Sequence, residues 1–339
     1  MRVRGEGPIP TRIMLVGEAP SLEDERVGLP FQGGSGQELN RMLHEAGILR
    51  SECYVTNVLK SRPPEGRIEN WIAQKKADIT PAHQSLNGKL VLPEVTGGHA
   101  ELLAEIQMVQ PNLIVAFGNL ALWALTGQWG VGKWRGSLLG GGTSPKVIPT
   151  FNPAAVLRAW DTRSIVLNDL RRAKRHMGSR TYDNIPQHTF ILRPSFSQTT
   201  ETLTRLTQLA ETQAELWLEF DLETFITTKH IRCAGISWSR AEAICIPFTD
   251  GHVNYWSTVE EEAYIVYLLY KLLTHPRVRV RGQNLLFDCQ YTYRYWHFIP
   301  RVAQDTMISQ HSCFAALPKG LDFLASMYAD FYIFWKEDK

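Results

Sequence analysis

The chain has 339 residues, 44% hydrophobic and 21% charged, with a formal net charge of +2. That composition excludes fibrous and disordered classes and suits a soluble globular protein of two domains. No apolar run reaches the roughly 18 residues of a membrane span, and Met1-Arg2-Val3-Arg4 opens no apolar signal core, so a cytoplasmic protein without membrane contact is expected. Cys53, Cys233, Cys245, Cys289 and Cys313 are scattered without C-x-x-C spacing, which indicates neither a zinc site nor a disulfide framework. Charge is uneven: residues 1–180 carry 22 Lys and Arg against 16 Asp and Glu, whereas residues 181–339 carry 14 against 18. A basic first half suits a polyanionic partner, and an acidic second half suits a carboxylate metal site.

In chain order, four short β-rich runs come first: Ile13–Val16, Cys53–Thr56, Leu113–Ala116 and Val147–Thr150. Helix-like segments separate them, such as 36–46, where Leu39, Met42, Leu43 and Ala46 share a face. Apolar strands alternating with helices predict a parallel sheet covered on both faces. Ligands bind beyond the carboxyl ends of such strands. The four ends present Gly17-Glu18-Ala19-Pro20, Asn57, Gly118-Asn119 and Phe151-Asn152-Pro153, so a carboxylate, amides and small residues converge on one crevice. Ordinary turn chemistry explains any one of these ends, but not four in register. Lys133 and Arg135, in Gly132-Lys133-Trp134-Arg135-Gly136, are candidate phosphate contacts. Trp123, Trp129 and Trp134 suit core or loop packing, or stacking on bases.

Three segments of this half resemble the uracil-DNA glycosylase superfamily, nearest its thermophilic and phage-like branches, over about 12–175. They are Gly17-Glu18-Ala19-Pro20 with Gly28-Leu29-Pro30-Phe31 and Gly33-Gly34-Ser35-Gly36; Tyr54-Val55-Thr56-Asn57-Val58-Leu59-Lys60-Ser61-Arg62-Pro63-Pro64; and Thr150-Phe151-Asn152-Pro153-Ala154-Ala155-Val156-Leu157-Arg158. The resemblance implies a pocket that receives a flipped base. In it Phe31 stacks on uracil, Asn57 reads O4 and N3–H, and backbone amides near Glu18 and Ala19 face O2. Glu18, or else Asp24, positions the attacking water, and Asn152 donates to the charge that develops on uracil. Lys133, Arg135 and Arg158 are the expected DNA contacts. Two departures stand out: Asn152 takes the place of the family's His, and Ser21 that of a Gly. The nearest branch holds an iron–sulfur cluster on four cysteines, but this half has only Cys53, and residues 67–98 replace that region, so no cluster is expected.

Turn formers in 177–186 mark a boundary before a fresh strand at 189–192. Next comes Leu218-Glu219-Phe220-Asp221-Leu222-Glu223-Thr224, where alternation places Asp221 and Glu223 on one side of a strand. Such a pair suits a hard divalent cation or an acidic, solvent-facing strand. Helix 259–273 repeats Ala263, Val266, Leu269, Tyr270 and Leu273 as a core face, and Arg277, Arg279 and Arg281 alternate on a strand and share a face that suits tracking a DNA backbone or a solvated edge. Gly282-Gln283-Asn284-Leu285-Leu286-Phe287-Asp288 then joins a strand to a helix.

The D-x-E and N-x-x-x-D order, followed by Asp305-Thr306-Met307 and Leu317-Pro318-Lys319-Gly320-Leu321-Asp322-Phe323-Leu324-Ala325, resembles the 3′–5′ proofreading exonuclease of phage-type family A DNA polymerases over about 216–339. The resemblance implies two Mg²⁺ or Mn²⁺ ions on Asp221, Glu223 and Asp288, with Asp305 structural. The family's third motif, Tyr-x-x-x-Asp, is not matched: Tyr328 and Asp330 have the wrong spacing. The chain therefore reads as a fragment or split gene whose polymerase region lies elsewhere.

The expected fold is α/β: a three-layer α/β/α glycosylase-like domain over 1–182 with a parallel sheet, then an RNase H-like exonuclease domain over 186–339. The expected function is uracil excision coupled to proofreading, acting on uracil-containing single-stranded or primer-template DNA beside a polymerase partner, in the host cytoplasm if phage-encoded. The alternative is a non-catalytic uracil-recognition module and scaffold.

Overall fold

The computed structural model describes residues 2–335 except 74, 183–186 and 252. Its strands are β1 (Ile13–Gly17), β2 (Cys53–Asn57), β3 (Gln84–Leu86), β4 (Lys89–Val91), β5 (Leu113–Phe117), β6 (Leu139–Gly140), β7 (Lys146–Thr150), β8 (Thr189–Ile191), β9 (Leu216–Thr224), β10 (Ile231–Ser237), β11 (Glu242–Pro247), β12 (Thr249–Asp250), β13 (Val253–Asn254), β14 (Val278–Gly282) and β15 (Val302–Asp305). Contacts divide the chain into two units, one of Met1–Ile185 with Asp322–Lys339, the other of Pro186–Leu321. Among the described residues no helix is long and apolar enough to cross a membrane.

In the first unit the sheet order is β2-β1-β5-β7-β6, parallel but for β6. The register pairs Gly17 with Asn57 and Phe117 with Thr150, so the carboxyl ends finish level. Alternation along β1 sends Ile13 and Leu15 into one apolar cluster and Met14 and Val16 into another. Helices Gly34–Ala46 and Arg163–His176 cover the first cluster, and Pro93–Val109 and Asn119–Thr126 the second. The result is the three-layer α/β/α arrangement. The helix expected at 36–46 starts two residues earlier, and Gly47 at φ +71° closes it.

The second unit has a six-stranded sheet ordered β15-β14-β9-β10-β11-β8, in which β10 runs against β9 and β11 and the remaining pairs are parallel. This is an RNase H-like α/β fold. Along β9, Leu216, Leu218, Phe220 and Leu222 are buried, leaving Asp221 and Glu223 on the other face. Helix Val259–Leu273 has the expected bounds. Of its expected face Leu269 and Leu273 are buried and Val266 packs against the core, joined by Ile265, Leu268 and Leu272, while Ala263 and Tyr270 are exposed. A tyrosine at the edge of such a face supplies apolar surface without needing burial.

Two expectations need correction. Residues 322–335 pack with the first unit although the sequence groups them with the second. The reason is apolar: Tyr332 and Phe334 are buried with Leu122, Val131 and Trp134, and Phe331 packs against the sheet's core. The boundary read at 177–186 falls partly outside the described residues. The arginines of β14 are engaged within the protein: Arg281 pairs with Glu219, Arg279 with Glu215, and Arg277 donates to the carbonyl of Glu211.

Candidate active site

Beyond the level ends of β1, β2, β5 and β7 lies a cavity of about 400 Å³. Its lining includes Glu18, Ala19, Asp24, Phe31, Asn57, Asn152 and Arg158. Seven residues separated by up to 140 positions are thus brought together.

Glu18 follows β1 directly. Its Oε1 accepts the backbone N–H of Leu120 at 3.0 Å, and its Oε2 accepts Nδ2 of Asn152 at 2.9 Å. Burial pushes its pKa up, partly opposed by those donors. Gly118, at φ +93°, is what admits it: a Cβ there would lie 2.4 Å from the Glu18 carboxyl carbon. Asn152 caps the short helix Pro153–Val156, its Oδ1 accepting the Ala154 N–H at 2.9 Å. That bond decides which end of the amide faces Glu18.

Asn57 is 3% exposed, and its Nδ2 has no hydrogen-bond partner among the described residues. A buried donor without a partner is costly, which marks a place where a ligand acceptor belongs. Its backbone is fixed: the carbonyl accepts from Lys60 Nζ at 2.8 Å, and Lys60 pairs with Glu105 at 2.8 Å. Phe31 sits at φ +56°, a conformation that costs a bulky residue about 1 kcal/mol or more, with its ring edge-on to Phe117 at 6.0 Å between centroids. Gly17 lets these parts meet, since a Cβ there would come within 2.3 Å of Asn57 Oδ1 and 2.6 Å of the Phe31 ring.

Other candidates take different places. Asp24 lines the cavity, but its carboxylate accepts the backbone N–H groups of Ser21 at 2.8 Å and Gln32 at 2.6 Å, closing a capping box on helix Leu22–Val27. It holds the loop. Ser21 Oγ accepts the Asp24 N–H in return, which gives this departure from the family a task. Arg135 is 2% exposed and fork-bonded to Asp169, so it is not a DNA contact. Lys133 is exposed on helix Val131–Trp134 and does not line the cavity. Trp123 and Trp134 are core residues, while Trp129 is exposed beneath Lys89. Arg62 was assigned no role from sequence, yet it lines the cavity with Arg158 and adds a second cation. Its position in Asn57-Val58-Leu59-Lys60-Ser61-Arg62-Pro63-Pro64, a strand end followed by a proline turn, was the available signal.

Neither implied inorganic group fits the residues present. A cluster needs four thiolates, and the first unit offers Cys53, buried and pushed up to about 12 by that burial. In the cluster's region Trp71, Ile72 and Val91 fill the space as core, beside the β3–β4 hairpin. In the second unit, among the described residues, no three His, Cys, Asp or Glu side chains group as a metal site. Of the expected set of Asp221, Glu223 and Asp288, the last is engaged within the protein, its Oδ1 accepting the Leu222 N–H at 2.7 Å. Burial, with the nearby Asp221 charge, pushes Asp288 up to about 7. Asp305 accepts backbone N–H groups of Asn284, Leu285, Met307 and Ile308, a structural role.

Fold and cavity together define an α/β/α protein with a polar pocket of about 400 Å³ at its strand ends. The Uracil DNA glycosylase superfamily matches residues 4–171. The chain is 38% identical over 176 residues to the Type-4 uracil-DNA glycosylase of Thermotoga maritima, covering 51% of this chain and 81% of that protein. It is 27% identical over 184 residues to the DNA polymerase of Bacillus phage SP01, covering 54% of this chain and 18% of the polymerase. Among solved structures, Escherichia coli RNase D is similar at 15% identity and a TM-score of 0.29, covering 42% of this chain and 33% of that one. The chain belongs to the uracil DNA glycosylase superfamily.

Proposed function

We propose that the first unit hydrolyses the bond between uracil and deoxyribose in DNA. The observation that carries this is the pairing of a buried, partnerless Asn57 amide with a carboxylate, Glu18, held by two donors in the same cavity. A flipped uracil stacks on Phe31 and supplies the acceptor, O4, that Asn57 Nδ2 lacks, while Asn57 Oδ1 accepts N3–H. Cytosine presents a donor amine at that place and leaves the Asn57 donor unpaired, which is the basis of rejection. Water attacks C1′, the bond to N1 breaks, and the electron pair leaves with uracil. Glu18 takes the proton from water, and burial raises its pKa towards the working range of a general base. Backbone N–H groups near Ala19 stabilise charge on O2. Arg62 and Arg158 supply phosphate contacts. No step requires a metal.

One observation favours a second reading, a uracil sensor. Asn152 Nδ2 donates to Glu18, so in this arrangement it does not aim at the leaving base. The similarity to a phage polymerase supports a replicative setting and, with it, a link to proofreading, which belongs to the same proposal. Binding and excision measured on the same labelled single-stranded uracil oligonucleotide separate the readings. Abasic sites formed in EDTA and lost in Asn57→Ala are expected. Uracil-selective binding without excision would leave the sensor. Shortening of the strand only on adding Mn²⁺ would assign exonuclease chemistry to the second unit.

A further inference from the structure

We infer that the segment Asp322–Trp335 is a positioning element of the uracil pocket, holding the loop that carries Asn152 through a buried chain of hydrogen bonds. The inference rests on the glycosylase reading and names a support of that same site. It starts at Thr150, the last residue of β7 and two positions before Asn152. Thr150 is fully buried, and its Oγ1 donates to Asp169 Oδ2 at 2.7 Å. Arg135 Nε donates to the same oxygen at 2.9 Å, and Arg135 Nη1 donates to Ser326 Oγ at 2.6 Å. Ser326 Oγ donates in turn to the Phe323 carbonyl at 2.7 Å. The backbone runs the same way: the Gly136 N–H donates to the Pro149 carbonyl at 2.9 Å, and the Gly118 N–H to the Thr150 carbonyl at 2.9 Å. The end of β7 is therefore held on one side by the Arg135 turn and on the other by the glycine beside Glu18.

The segment is itself anchored. Arg172 bonds the carbonyls of both Gly136 and Ala329, at 2.6 and 2.7 Å. The Leu138 N–H donates to the Tyr332 carbonyl at 2.8 Å, and the Phe334 ring stands edge-on to Trp134 at 5.3 Å. A buried ion pair is weak evidence of stabilisation, since apolar packing serves as well, but it fixes geometry because each partner demands the other. Here that geometry ends at Asn152 and Glu18. Misplacing a reacting group by about 1 Å costs roughly 100-fold in rate, and contacts that bind the strand elsewhere are not altered by it. A positioning element should show that split.

The test uses the full chain with Thr150→Val, Ser326→Ala and the conservative Ser326→Thr. Four quantities are read: single-turnover excision from a single-stranded uracil oligonucleotide in EDTA, affinity for that oligonucleotide, amide exchange over 150–156, and melting temperature. Expected are an excision rate lowered about 10- to 100-fold in Thr150→Val and Ser326→Ala, affinity within about twofold, and faster exchange at 150–156. Ser326→Thr, which keeps the hydroxyl, should recover the rate. Unchanged rate and exchange would overturn the inference. So would parallel losses of rate, affinity and melting temperature, which describe a general structural support. If the wild type excises nothing, the glycosylase reading fails by itself, and exchange at 150–156 in Ser326→Ala still decides whether the segment holds the loop.

Discussion

The two units each set carboxylates beside a central sheet, and they treat them differently. In the first unit Glu18 is flanked by two aimed donors, one of them the Asn152 amide whose orientation is fixed by a helix cap. In the second, burial together with like charge pushes two acids up, Asp221 beside the Glu223 charge and Asp288 beside the Asp221 charge. Carboxylates at strand ends therefore do not by themselves make a site. What distinguishes the first is a rigid surrounding layer: Asn152 held by the Ala154 N–H, Asn57 held by Lys60, and Phe31 forced to positive φ.

The comparison can be broken most sharply at Asn57. Asn57→Ala should abolish base selection and cut excision about 100- to 1,000-fold, read as abasic sites per minute. A variant retaining wild-type rate would show that the partnerless amide is incidental. Glu18→Gln should lower the rate about 100-fold, with folding intact. Because burial raises the folded-state pKa of Glu18, its charge disfavours folding above about pH 4.5, so the glutamine variant should melt no lower than wild type at pH 8. For the same reason the wild-type rate should fall as pH drops through a Glu18 pKa above 4.5.

Asp24→Ala tests the loop-holding role. Loss of the carboxylate that accepts two backbone N–H groups should destabilise by roughly 1–2 kcal/mol in urea melts, with a smaller effect on rate than Glu18→Gln. The smallest effect is expected in the second unit. Asp288 has a pKa near 7 when folded against 3.8 ordinarily, so wild-type stability declines as pH rises across that window. Asp288→Asn should remove the decline, gaining roughly 1 kcal/mol at pH 8 after solvent screening, read from melting curves at pH 4 and pH 8. A loss at pH 8 would mean that the ionised carboxylate is stabilised by something the described residues do not supply.

Much of the first unit was legible because strand periodicity, strand-end residues and helix faces all point to one arrangement. The four apolar runs became β1, β2, β5 and β7, and their ends converged as the pattern required. The division of labour between Glu18 and Asp24 was not legible. Both are acids near one strand end, and only the loop geometry reveals that Ser21 and Gln32 consume one of them. Arg135 looked like a phosphate contact because a cation between glycines and a tryptophan suggests an exposed turn. Its partner Asp169 is 34 residues away on a helix, and Ser326 is 191 away, a separation no local pattern encodes. Tyr332 and Phe334 escaped for the same reason, since a short apolar segment carries no mark of which core it will join. In the second unit the D-x-E alternation was read correctly as geometry, but whether three acids close around an ion depends on rotamers such as that of Asp288.

The most direct measurement is uracil release by the full chain from a single-stranded oligonucleotide with all divalent ions chelated, wild type beside Asn57→Ala. The structure predicts abasic sites in the wild type and almost none in the variant. Equal release by both, or release that needs added Mn²⁺, would contradict an Asn57 and Glu18 pocket as the place where the base is read and removed.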